Sequence, residues 1–170
     1  YGADTLSTWD IDDGSSDNCG ISSKTIPPTT YSCASVGMNP STMLKVMDIF
    51  GNQDSCEAIV TVLDTLAPDA ICQDVTVFLD ANGSSSLAAS EIESGSTDNC
   101  GIDEISIPST QFDCTSTSAP ALITLTLTDI HENEDSCVAQ VTVLDTLAPD
   151  AQCQPFTVYL DASGSYLLTA

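Results

Sequence analysis

Arginine is absent from this 170-residue chain, lysine occurs only at Lys24 and Lys45, and histidine only at His131. Against 25 Asp and Glu these leave a formal net charge of -23. Such a surface repels phosphate backbones and anionic membranes, and two lysines do not make a counterion-releasing patch, which argues against nucleic-acid binding. Long apolar runs are also missing. Nothing approaches the roughly 20 residues that cross a bilayer, so membrane insertion is not expected. The opening at Tyr1 carries no signal-type pattern, and the sequence reads as a mature product or a fragment. Helical periodicity is scarce. The charge by itself would suggest disorder, yet 42% of residues are hydrophobic and fall in alternating runs, so the acids belong on the surface of a folded chain.

What the sequence does have is an internal repeat. Cys19, Cys33, Cys56 and Cys72 return as Cys100, Cys114, Cys137 and Cys153, always 81 residues on. The D-N-C-G-I of 17–21 returns at 98–102, and V-L-D-T-L-A-P-D-A of 62–70 returns intact at 143–151. The closing S-G-S-Y-L-L-T-A matches N-G-S-S-S-L-A-A at 82–89 and begins a further copy.

Within one repeat the pattern is that of strands. A-P after D-T-L reads as a linker, because Pro68 and Pro149 lack an amide donor and hold the preceding alanine extended. I-C-Q-D-V-T-V-F-L-D then alternates, with Val75, Val77 and Leu79 on one face. Cys72 is out of phase, which predicts a bulge near Gln73, and Pro155 in the next copy suggests an edge strand. The S-L-A-A-S-E-I segment fits one helical turn or a strand. Ile123, Leu125 and Leu127 alternate with threonines, and beyond H-E-N-E-D come Cys137, Ala139, Val141 and Val143 in phase: a hairpin with one buried face. Several short strands per 81 residues predict an all-β fold of antiparallel sandwiches.

C-Q-D-V-T-V, the hairpin L-T-L-T-D-I-H-E-N-E-D-S-C-V-A-Q-V-T-V and the linker D-T-L-A-P together resemble a hyalin-repeat (HYR-like) domain, of the immunoglobulin-like sandwich class. With the added D-N-C-G-I and F-D-C cysteines they look like the tandem domains of large secreted bacterial surface proteins. The resemblance implies tandem immunoglobulin-like sandwiches, an extracellular or cell-surface location, and service as a stalk, adhesin or fibre.

Four cysteines per repeat allow three pairings. The HYR-like pattern joins first strand to last, which implies Cys72 with Cys137 and leaves Cys100 with Cys114 and, in the first copy, Cys19 with Cys33. In the chain-entropy model the short bridge contributes roughly 3 kcal/mol and the long one roughly 4. C-x-x-C is missing and the one His is unrepeated, so zinc and redox readings lose to structural disulfides of an oxidising compartment. Cys56 and Cys153 are then left to bond with adjoining copies. The division that follows is an immunoglobulin-like domain without its first strand at 1–66, a complete one at 67–147, and the first strand of the next at 148–170. These ends are complementary, so the expected partners are further copies of the chain, head to tail.

Two groups of acids suggest calcium, which selects hard oxygens. One is the loop pair Asp12 and Asp17 with Glu93 and Asp98; Asp10 and Glu91 are also equivalent. The EF-hand register fails there, and Asx turns beside the cysteines are the plainer reading. The other flanks the linker: Asp64 and Asp69, Asp145 and Asp150, with Asp48 and Asp129 as additional ligands. On the hydroxyl side, Thr5, Thr65 and Thr146 sit in Asp-Thr-Leu sequences resembling an O-glycosylation acceptor of Bacteroidetes-type bacteria. The Asn82 sequon does not repeat.

An enzyme is not expected. No Arg is present, and His131 is replaced by Phe50 in the other copy, so a nucleophile, base and charge stabiliser do not assemble, and His131 reads as a solvated turn residue. Trp9 reads as packing at a junction or, as the rival, a sugar platform. The expected function is a structural segment of an extracellular filament or stalk; an adhesin or carbohydrate-binding segment, whose partner would be glycans, and an accessory domain of a secreted hydrolase are the alternatives.

Overall fold

The computed structural model describes residues 6–108 and 111–167. The fold is all-β. Among the described residues the strands are β1 (Ile21–Thr25), β2 (Ser41–Asp48), β3 (Gln53–Ile59), β4 (Val75–Phe78), β5 (Ser84–Ser86), β6 (Ile102–Ser106), β7 (Gln111–Asp113), β8 (Ala121–Asp129) and β9 (Glu134–Leu144). Two single helical turns, α1 (Thr8–Ile11) and α2 (Ala89–Ile92), and two 3-10 turns, at Cys33–Ser35 and Cys114–Ser118, join them. The sheets are β1-β2-β3, β4-β9-β8-β6 and the pair β5-β7.

Alternation builds the core. Leu125 and Leu127 of β8 and Ala139 and Val141 of β9 are fully buried, while Thr124 and Val138, one position before Leu125 and Ala139, face solvent. Leu87, Ile92 and Phe112 close the same cluster from the opposite layer. The S-L-A-A-S-E-I segment divides between both of its readings: the strand β5 ends at Ser86, and α2 follows, with the Glu91 carboxylate accepting from the Ala88 amide.

The bulge expected near Gln73 is not how Cys72 changes phase. The chain switches layers instead. Asp69 bridges Thr97 and Cys72 bridges Glu93 on one side, whereas Val75–Phe78 pairs in parallel with Val141–Leu144 on the other. Asp74 marks the crossing, where its carboxylate accepts from the Gln140 amide at 2.7 Å. Cys72 therefore faces β9 from the opposite layer, and its bond to Cys137 ties the two layers together.

The strand positions keep the 81-residue step. Ile21 and Ile102, Asp48 and Asp129, Gln53 and Glu134 are equivalent ends, and the irregularity after Ile21 in the β1–β2 register recurs after Ile102 in β6–β8. Burial does not keep it. Ala139, Val141 and Val143 are at most 2% exposed, whereas Ala58, Val60 and Val62 are only half-buried, and in β2 only Thr42 and Leu44 are buried. β9 continues through Leu144 along β4; β3 stops at Ile59, four residues before the equivalent Leu63. Residues 151–167, which contain the 81-step equivalent of β4, form no strand and are exposed throughout.

Candidate functional site: an open groove, four free thiols and a carboxylate cluster

Val60–Leu63 runs on extended past β3, held on one side by the Val60 amide donating to Pro40 and the Gly37 amide donating to Val62. On this stretch lies a cavity of about 300 Å³ lined by Leu6, Asp10, Tyr31, Val60, Val62 and Leu63. Tyr31 and Thr42 each hold a buried hydroxyl with no hydrogen-bond partner. In the four-stranded sheet the equivalent edge is covered by β4.

The exposed C-terminal segment keeps the turn that follows β4. Asp80 accepts from the Asn82 and Ser84 amides, with Gly83 at φ +74°, and Asp161 accepts from Ser163 and Ser165, with Gly164 at φ +74°. Phe156, Tyr159 and Leu160 are 70%, 85% and 63% exposed, and the Phe156 ring lies 6.3 Å from Tyr166.

Of the expected disulfides, Cys72–Cys137 is present, with a Cα separation of 5.8 Å. The local bridges Cys19–Cys33 and Cys100–Cys114 are not formed: Cys33 is bonded to Cys100 at a Cα separation of 5.4 Å. Strand length is the reason. Cys100 precedes β6, whose Ile102 pairs with Asp129 at the end of β8, while Cys114 opens the 3-10 turn leading into the start of β8 at Ala121. A nine-residue strand spans roughly 27–30 Å, so the two cysteines sit at opposite ends of it. Cys19, Cys56, Cys114 and Cys153 are unbonded and exposed.

The structure redistributes the expected calcium ligands. Asp12 is taken by an ion pair with Lys24, which holds its carboxyl below the usual range, and also caps the Ser15 amide. Glu93 is likewise lowered, chiefly by the Ser96 amide. Asp17 makes the Asx turn to Cys19 and Gly20, and Asp98 makes its equivalent to Cys100 and Gly101. Asp69 pairs its backbone with Thr97, and Asp145 and Asp150 are exposed. What comes together is a set drawn from both sequence groups: Asp64, Asp98 and Asp129 each contribute an oxygen within 4.8 Å of the others.

Asp129 is 1% exposed and accepts from the His131 and Asn133 amides and the Asn133 side chain. Burial, the largest influence, pushes its pKa up, but the bonds from Asn133 and His131 together hold it below the ordinary value. The Asp64 side chain is 3% exposed and meets His131 Nδ1 at 3.1 Å. His131 is therefore not the solvated turn residue the sequence suggested; it is packed against the linker. Asp17 and Asp48 hold the positions of Asp98 and Asp129 in the three-stranded sheet, where they line a cavity with Ile21, Val46 and Asn52. Sequence reasoning had joined Asp129 to Asp64 but set Asp98 in the other group, because the members belong to three separate segments; the shared 81-residue step of Asp17, Asp48 and Asp64 was the available signal.

Thr65 and Thr146 are exposed, and Thr5 lies outside the described residues. Among the described residues no helix is long and apolar enough to cross a membrane. No protein-family model matches the chain, and no curated protein matches it.

Proposed function

We propose that this chain is a non-catalytic structural unit of an extracellular filament or stalk, joined head to tail with further copies by strand addition. Residues 153–160 of one copy lie along Val60–Leu63 of the next as β4 lies along β9, with Phe156 beside Val60 and Val158 beside Val62. The four free thiols carry the reading. Cys114 is the 81-step equivalent of Cys33 and Cys19 that of Cys100; Cys153 is the equivalent of Cys72 and Cys56 that of Cys137. The two kinds of bond already made inside the chain thus recur as Cys114 to Cys19 and Cys153 to Cys56, each between one copy and the next, and no thiol is left over.

The energetics agree in sign. Val77 and Leu79 are 7% and 4% exposed, while their equivalents Val158 and Leu160 are 42% and 63% exposed. Burying each such side chain contributes roughly 1.5–3 kcal/mol, and the strand also covers an unpaired sheet edge. A parallel strand added to an open edge is a known mode of chain-to-chain recognition, and a head-to-tail contact that does not close gives a filament. The acidic surface, with sugar on Thr65 and Thr146 in this reading, keeps neighbouring fibres apart.

Electron microscopy of native material, with electrophoresis before and after reduction, tests this. Filaments whose bands step by 17.7 kDa and collapse on reduction support separate copies; filaments unaffected by reduction place the copies in one polypeptide. Dispersed single particles under oxidising conditions contradict the proposal. A glycan-binding role is the second reading, favoured by Trp9, which is 86% exposed at a cavity shared with Asp12 and Lys24. Loss of glycan retention in Trp9→Ala, with assembly unchanged, would select it.

A further inference from the structure

We propose that Asp64, Asp98 and Asp129 hold a hard divalent cation of the calcium class, which pins the linker at 62–70 to the end of the four-stranded sheet. The inference stands apart from the proposed assembly, because all three residues lie in one chain.

Three carboxylates converge with their oxygens within 4.8 Å of one another. Asp129 is 1% exposed and the Asp64 side chain 3% exposed, so solvent does little to screen their mutual repulsion. His131, at 3.1 Å from Asp64, is the one basic side chain paired there among the described residues; the other ion pair, Lys24 with Asp12, is elsewhere. A separate observation points to a ligand. Asp98 Oδ1 is occupied by the Cys100 and Gly101 amides, but Asp98 Oδ2 is shut off from solvent and has no hydrogen-bond partner. A buried carboxylate oxygen without a donor is costly to leave so, and a cation among these three groups satisfies it while offsetting the charge.

The donors select the class of ion. Oxygen ligands and a high carboxylate count suit Ca²⁺, and Cys100, although adjacent, is held as a disulfide and offers no thiolate to a softer metal. The ligands also explain what the ion would do: Asp64 comes from the linker, Asp98 from the D-N-C-G loop and Asp129 from the end of β8, so binding fixes three segments that otherwise repel. The Cys33–Cys100 bond joins at the same place.

The test uses the full chain after dialysis against EDTA, titrated with CaCl₂ by calorimetry and by thermal denaturation. The expected result is saturable binding with a Kd of about 10⁻³ M or tighter and a rise in Tm. Asp98→Asn keeps an acceptor for the Cys100 and Gly101 amides and so preserves the turn; it is expected to weaken binding at least ~10-fold. Asp129→Asn is expected to do the same, and Asp12→Asn to leave binding unchanged. Should Asp129→Asn fail to fold, Asp98→Asn decides alone. No heat and no Tm change up to about 10 mM CaCl₂, roughly tenfold above the weakest expected Kd, would overturn the site. So would binding undiminished in Asp98→Asn, or a preference for Zn²⁺ that His131→Ala abolishes.

Discussion

Cys33 and Cys100 are bonded across 67 residues of chain, and that bond joins the 3-10 turn before β2 to the loop before β6. It links the three-stranded and four-stranded sheets where a purely local pairing would have stapled each separately. Asn99 and Asn133 reinforce the junction by donating to the Asp64 carboxylate and the Asp64 carbonyl.

Removing that bond should be costly in a way that removing Cys19 is not. A closed loop of this length contributes about 4 kcal/mol in the chain-entropy model. The double variant Cys33→Ser with Cys100→Ser is expected to lose stability of that order in urea denaturation of the unassembled chain, with Cys19→Ser close to wild type. Equal losses in both would show that Cys19 is bonded to Cys33 after all.

Strand addition makes a separable prediction at Leu160. Its 81-step equivalent, Leu79, is 4% exposed beside Leu144, whereas Leu160 is exposed within the chain. Leu160→Asp should leave the unfolding of the unassembled chain unchanged and abolish filaments seen by microscopy. The reverse pattern, a destabilised chain that still assembles, would mean Leu160 packs internally.

Two turn positions carry opposite signs. Gly83 sits at φ +74°, and a Cβ there would lie 2.9 Å from the Cys114 sulfur, so Gly83→Ala should destabilise by about 1–2 kcal/mol. Glu132 sits at φ +69° where the other hairpin has Gly51 at φ +89°. Glu132→Gly relieves the left-handed strain at a smaller entropic cost, and a gain of up to about 1 kcal/mol is expected from denaturant midpoints.

Asp135 gives a pH signature. Its carboxylate accepts from the Ala70 amide at 3.0 Å, and that bond, then the Ser136 amide, lowers its pKa from 3.8 against opposing burial. A carboxyl with a depressed folded pKa stabilises fully above its unfolded value and loses that contribution as pH falls through the folded one. The stability gap between wild type and Asp135→Ala should therefore be constant above about pH 5 and narrow as pH drops toward 3. A gap that widens on acidification would contradict the assignment.

Much of the fold was legible because alternation reports a half-buried strand directly. Leu125, Leu127, Val141 and Val143 read as core in sequence and are core in space. Cys72 was legible as out of phase but not as a change of layer, since periodicity records a phase break without saying whether a bulge or a crossing causes it. The Cys33 pairing was hidden for a different reason. The family resemblance left Cys19 as its partner, but β8 holds the equivalent residues Cys100 and Cys114 at its two ends, a distance only the register fixes. The carboxylate cluster was half visible: Asp64 and Asp129 were singled out together and Asp98 in the other group, because nothing local says that the linker folds back onto the loop.

Whether another copy completes the open edge at Val60–Leu63 is read from disulfide mapping of native, unreduced material. Peptides linked through Cys153 and Cys56, and through Cys114 and Cys19, are expected alongside the internal Cys33–Cys100 and Cys72–Cys137 pairs, with the first two bridging isotopically distinct copies in mixed preparations. Cys56 and Cys153 recovered as free thiols from assembled material, or joined to each other inside a single labelled chain, would contradict completion by another copy.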